Sequence, residues 1–198
     1  SASVAKSIAV VSSTGSVDSS SGVSNAANGN SMRSAATMSG EKLYCGYESY
    51  GALYTPLGST IATLINAITV NGRVVNIFNN QLYITQATSV LAIGAGLPET
   101  FGSGSSSMGL TSLSSAYDFW FANAYTIYVC DDQSSGGIRK YTYNGSSWTL
   151  RYTINATFGS GTGCRSVSGL WTDTNAVRLY TVVTDGSVRY ITDDVAAT

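Results

Sequence analysis

The side chains that could carry out chemistry are few, and their types already narrow what the chain can do. Three cysteines, 11 Asp and Glu, ten Lys and Arg and no histidine are spread over 198 residues. Without histidine the chain can build neither a Ser-His-Asp nor a Cys-His catalytic unit, and no histidine-ligated metal. Carboxylates fall next to each other twice, at Asp131-Asp132 and Asp193-Asp194. Such a pair could share a calcium ion, but calcium asks for more oxygens at fixed spacing, and no Asp-x-Asp-x-Asp-Gly loop is present. Turn capping by Asp is the plainer use. No two carboxylates stand out as the separated pair that glycoside hydrolysis needs. The sequence therefore names no catalytic residue, no cofactor and no metal site, and an enzyme is the least favoured class.

Composition points the same way. Charged residues make up only 11% of the chain and the formal net charge is -1, without a Lys/Arg cluster, so the electrostatic footprint of a nucleic-acid binder is missing. Water solubility must come from hydroxyls instead, since 31 Ser and 22 Thr exceed a quarter of the residues. The longest apolar stretches, such as positions 61–70, are too short and interrupted to span a bilayer, so no membrane insertion is expected. The first residues, Ser-Ala-Ser-Val-Ala-Lys, lack the regions of a signal peptide, so a secreted protein would be seen here already processed.

The elements that must hold these residues read as all-β. Short runs of Thr, Val, Ile and Tyr alternate with Gly, Ser, Asn and Asp, and helical spacing is nowhere sustained over three turns. A large aliphatic residue followed by Tyr recurs at Leu43-Tyr44, Leu82-Tyr83, Ile127-Tyr128 and Leu179-Tyr180, with the tyrosines 39, 45 and 52 residues apart. A strand precedes each dipeptide, and a turn and third strand follow it; the outer strands are expected to meet water on one edge, as in Arg139-Lys140-Tyr141-Thr142-Tyr143. Trp148 to Ile154 adds a fourth strand behind an Asn144-Gly145 hairpin turn. Four strands every 40 to 50 residues predict the blades of a β-propeller, a spacing that a β-sandwich does not produce. The blades are expected at 31–66, 72–100, 115–157 and 164–193, the last without its outer strand, within a single propeller domain or propeller fragment over 1–198. Positions 5–20 read as outer strands of an incomplete blade, giving four to five blades. Either these strands complete the fourth blade and close a small ring, or the chain is part of a larger ring.

This topology positions the remaining candidates. Cys130 ends a second strand and Cys164 begins the first strand of the next blade, so a disulfide between them is expected, with two buried free thiols as the alternative. Cys45 is left over, either buried or available to another chain. Arg33, Arg73 and Arg165 each begin an inner strand, and Asp131 and Asp132 end a second strand on the same side. Together they could bind an anion or a sugar acid near a channel face, or act as structural staples. Asn144-Gly145-Ser146 and Asn155-Ala156-Thr157 are acceptor sequences for N-glycosylation at Asn144 and Asn155. Gly102 to Ser107 reads as a flexible connection between blades.

The stretches NGRVVNIFNNQLYIT, AIGAGLPET, TIYVCDDQSSGGIRKYTYNGSSWTLRYTI and GCRSVSGL resemble repeats in a family of large, poorly characterised secreted propeller proteins of bacteria and algae. The resemblance covers most of residues 5 to 190. It implies an extracellular propeller without an assigned reaction, from longer proteins, and Cys130 and Cys164 depart from the family pattern. Together these readings lead to an extracellular structural module of a cell-surface or filament-forming glycoprotein. Its expected partners are copies of itself, other matrix or surface proteins, or glycans. A carbohydrate-binding propeller with Tyr and Trp171 as stacking platforms is the second reading.

Overall fold

A computed structural model of the protein describes residues 6–25, 31–48, 50–67, 71–155 and 163–196, and among them there are strands and turns but no helix. The strands form antiparallel sheets that follow the chain in order, each hairpin leading to the next strand outward. A short hairpin comes first, β1 (Lys6–Val11) with β2 (Val17–Val23). Next is a four-stranded sheet of β3 (Met32–Thr37), β4 (Lys42–Tyr47), β5 (Gly51–Pro56) and β6 (Thr63–Asn66). A second is made of β7 (Val75–Phe78), β8 (Gln81–Gln86), β9 (Ser89–Ile93) and β10 (Ser105–Ser107). The third contains β11 (Ala116–Asn123), β12 (Thr126–Asp131), β13 (Gly137–Tyr143) and β14 (Trp148–Ile154). The last has three strands, β15 (Cys164–Trp171), β16 (Ala176–Val183) and β17 (Val188–Asp194). These are the blades of a β-propeller, and no helix of the described residues is long and apolar enough to cross a membrane.

The repeated dipeptide occupies one place in this scheme. Tyr44, Tyr83, Tyr128 and Tyr180 all lie on the second strand of their sheet, opposite Ala36, Asn76, Trp120 and Ser168 of the first strand. The residue before each Tyr, Leu43, Leu82, Ile127 or Leu179, is buried. Because side chains alternate across a strand, the aliphatic residue and the Tyr point to opposite faces of the blade. In the first and third blades the Tyr packs on the blade that follows, while Leu43 packs on the hairpin before it and Leu179 on the blade before it.

By compactness the chain divides into two units, one from positions up to 84 with 91–106 and the other from 85–90 with 107 onward. In the first, β3 runs beside β7, and the hairpin β1–β2 lies on the opposite face of the β3–β6 sheet. Ile8 and Val23 pack there on Leu43, Cys45, Tyr47 and Leu53. In the second, β11 runs beside β15, and one core joins their sheets.

Two boundaries differ from those expected. The second blade reaches its outer strand at Ser105–Ser107, inside the segment read as a flexible connection, because backbone groups close it: Gly94 N–H donates to Gly104 at 2.7 Å. The N-terminal strands pair with each other, with Ser7 opposite Gly22, and the sheet of β15–β17 ends at β17 among the described residues.

Candidate functional site

The third and fourth blades show what a covered blade face is made of. Tyr128, Lys140 and Tyr152 form a cross-strand row on β12, β13 and β14, because Tyr128 pairs with Lys140 and Lys140 with Tyr152. Lys140 is fully buried. Its ammonium lies 3.1 Å from the Asp193 carboxylate on β17 and donates to the Asp194 carbonyl at 2.5 Å and the Tyr152 hydroxyl at 2.9 Å. Tyr128 and Tyr152 each donate to Asp193 at 2.6 Å. Burial, followed by the Asp193 carboxylate, drives both phenols well above the ordinary tyrosine range, so they remain donors. The sequence reads Lys140 as a residue of a water-washed outer strand. That reading is corrected here, since the ammonium is buried by the next blade and neutralised by its carboxylate.

Beside this row the aromatic Trp120 stacks on Tyr128 with centroids 6.0 Å apart. The partner blade makes room for it with Gly169, where an added Cβ would stand 2.6 Å from the indole ring. Trp171 closes the edge by donating its indole N–H to the Ala122 carbonyl at 3.1 Å. On the first strand Asp118 accepts from Phe119 N–H at 2.8 Å and from Val167 N–H of the next blade at 2.9 Å. Burial raises this carboxyl to about 6, against the two amides that pull it down. Covalent closure comes from Cys130 and Cys164, whose Cα atoms are 4.9 Å apart in a disulfide that joins β12 to β15. Cys45 is the free cysteine; burial pushes its thiol up to about 12, so it is an inert small apolar group.

The arginines and aspartates of the expected channel-face site divide between the two units. In the first, Arg33 pairs with Glu48 at 2.6 Å and donates to Asn71 at 2.5 Å. Arg73 is buried two residues before β7 rather than on it, and its carbonyl accepts from Ser34 at 2.8 Å. In the second, Arg165 is half-exposed and stands 3.9 Å from Asp132. Of the two uses open to Asp131, ligand contact and structural staple, its bonds are those of the staple. Its carboxylate is fully buried and accepts from the N–H groups of Ser114, Ser115 and Gln133 and from Arg139, the last at 3.1 Å. Two adjacent aspartates on an extended chain point to opposite sides, so only Asp132 is left near the surface.

Asn144 is exposed in the β13–β14 turn, with its side-chain oxygen accepting from Ser146 and Ser147 N–H at 2.9 Å each. Asn155 is exposed at the end of β14, and the rest of its acceptor sequence lies outside the described residues.

The far face of the last blade repeats the covered pattern without a cover. The row equivalent to Trp120–Tyr128–Lys140 is Ser168–Tyr180–Tyr190, and in the first blade it is Ala36–Tyr44–Tyr54. Tyr44 is fully buried in a cluster with Val75, Leu82 and Ile84 of the second blade, and Tyr128 is buried by the fourth. Tyr180 instead is 39% exposed and Tyr190 68%, next to Leu170 at 47% and Val188 at 71%. The two rings are 6.3 Å apart, and the Arg178 guanidinium lies 5.5 Å from the Tyr190 ring. Sequence reasoning placed Tyr180 in the repeat but did not see that its face is bare.

Blade by blade, then, the class of protein is a β-propeller. In fold the chain is similar to the computationally designed Ika4 protein, with a TM-score of 0.55 and 12% identity over 85% of this chain and 95% of that one. It is likewise similar to a chain of a nidogen/laminin complex, with a TM-score of 0.59 and 12% identity over 84% of this chain and 61% of that one. No family model matches the sequence, and no curated protein matches it.

Proposed function

We propose that the chain is a non-enzymatic structural module of an extracellular, cell-surface or filament-forming glycoprotein, which assembles through blade faces or edges with copies of itself or with matrix proteins. The observation that carries this reading is the far face of β15–β17, which has the register and residue types of the covered blade faces yet is exposed. Apolar and aromatic side chains gathered on one surface mark an interaction site. The disulfide supports an oxidising compartment, where such bonds persist. The exposed Asn144, in the β13–β14 turn, is accessible to glycosylation. Light scattering from 1 to several hundred micromolar protein tests the assembly. A mass that rises with concentration supports the module, and a single-chain mass throughout rejects it.

The same tyrosines favour one second reading, a carbohydrate-binding propeller in which Tyr180 and Tyr190 are platforms for sugar rings and Arg178 a hydrogen-bond donor. Glycan-array binding that is lost in Tyr190→Ala would select it over assembly.

A further inference from the structure

We propose that the cover of the bare blade face is the N-terminal end of a second copy, whose β1 adds to the open edge of β17 and whose β3–β4 face receives Tyr180 and Tyr190. The inference rests on the assembly reading above and names its contact.

Three observations at opposite ends of the chain fit one another. The first is the bare face itself, on a sheet that among the described residues has three strands where the three preceding blades have four. The second is the hairpin, in which β1 pairs with β2 on one side only, leaving its other edge open among the described residues. The third is an apolar cavity of about 160 Å³ beside that open edge, lined by Ile8, Val10 and Val11 of β1, by Ala35 and Thr37 of β3 and by Leu43 of β4.

The cavity lies where a preceding blade would insert its aromatic row. Ala35 and Thr37 hold the positions that Val167 and Gly169 hold in the last blade, as their pairing with Cys45 and Leu43 shows against that of Val167 and Gly169 with Thr181 and Leu179. Gly169 is where the fourth blade admits Trp120 of the third. Small residues at the same register in β3 leave room for an aromatic ring of equivalent origin, and Tyr180 is the equivalent of Tyr128 beside that Trp120. Leu43 meets the space as Leu179 meets the third blade.

Strand addition and face packing agree in register. An antiparallel alignment that keeps both apolar faces on one side sets Ile8 opposite Thr192 and Val10 opposite Tyr190. It also sets Lys6 opposite Asp194, a favourable cross-strand pair of opposite charges. The contact is head-to-tail, so each copy keeps one donor end and one acceptor end, and repetition gives a ring or a filament according to the rotation between copies.

The test uses the full chain. In light scattering, Tyr190→Asp is expected to return the assembled protein to single-chain mass, while Phe101→Asp, at an exposed site far along the chain, leaves it assembled. Two differently sized tagged pools, one carrying Val10→Cys and the other Tyr190→Cys, are then mixed and oxidised. A disulfide-linked species containing one chain of each pool supports the contact. Assembly that survives Tyr190→Asp and yields no mixed species overturns this inference and leaves the assembly reading standing. A Val10→Cys/Tyr190→Cys double variant that closes only within one chain also overturns it, and absence of any assembly overturns both.

Discussion

At the residue scale Asp118, Lys140 and Asp193 are joints between the third and fourth blades. Asp118 shows this in its titration. Its carboxyl is raised to about 6 by burial, above the usual value near 3.8, so the folded protein holds this proton more firmly than the unfolded chain. Between about pH 4 and 6 the native state binds more protons, hence stability falls as pH rises through that window, by roughly 2–3 kcal/mol at the limit. Carboxyl-carbon NMR should give Asp118 a midpoint near 6, and a midpoint below 4.5 would refute the burial. Lys140 and Asp193 work as a buried pair with two phenol donors. Removal of one partner strands the other, so Lys140→Met should lose about 3–5 kcal/mol in urea unfolding. Lys140→Met with Asp193→Leu should lose less than the sum of the two single changes, since no uncompensated charge remains.

At the element scale the blades stand on shape as much as on hydrophobicity. Trp120 reaches its stacking place because Gly169 presents no Cβ, and Gly169→Ala should force the indole aside at a cost of about 1–3 kcal/mol, with loss of the native Trp fluorescence maximum as an independent readout. Sequence reading found the first three strands of each blade because alternating apolar residues and the recurrent aliphatic–Tyr pair leave a trace that survives without long-range information. It missed β10, whose residues are three serines, all exposed: a strand held by backbone hydrogen bonds alone carries no side-chain signature. It misjudged Lys140 for a related reason, as a charge in a strand reads as solvent-facing until the carboxylate 53 positions away is known to lie beside it. The Cys130–Cys164 bridge was legible because strand order alone brings the end of a second strand near the start of the next first strand. Which of Asp131 and Asp132 turns inward depends on the Ser114 and Ser115 amides, and a loop's direction is not written in the pattern of its residues.

At the scale of the whole molecule the disulfide and the buried thiol make a covalent prediction. Intact mass of the unreduced protein should be about two units below the fully reduced chain. Alkylation under native conditions should leave Cys45 unmodified, and its rapid modification would show that the thiol is not in the core. Reduction should lower stability by about 2–4 kcal/mol, chiefly by freeing the unfolded chain.

The same bridge has a mechanical meaning. A tension applied to the two ends of the chain passes from β12 to β15 through the sulfur atoms and skips the 34-residue separation between them. The hairpin of β13 and β14, together with the Asn144 turn, therefore carries no load while the bond is intact. At about 3.3–3.6 Å per extended residue, roughly 110–120 Å of contour length stays hidden from a pulling force and is released only by a reductant. Under shear, the bridge would act as a redox-controlled limit on how far the chain can stretch.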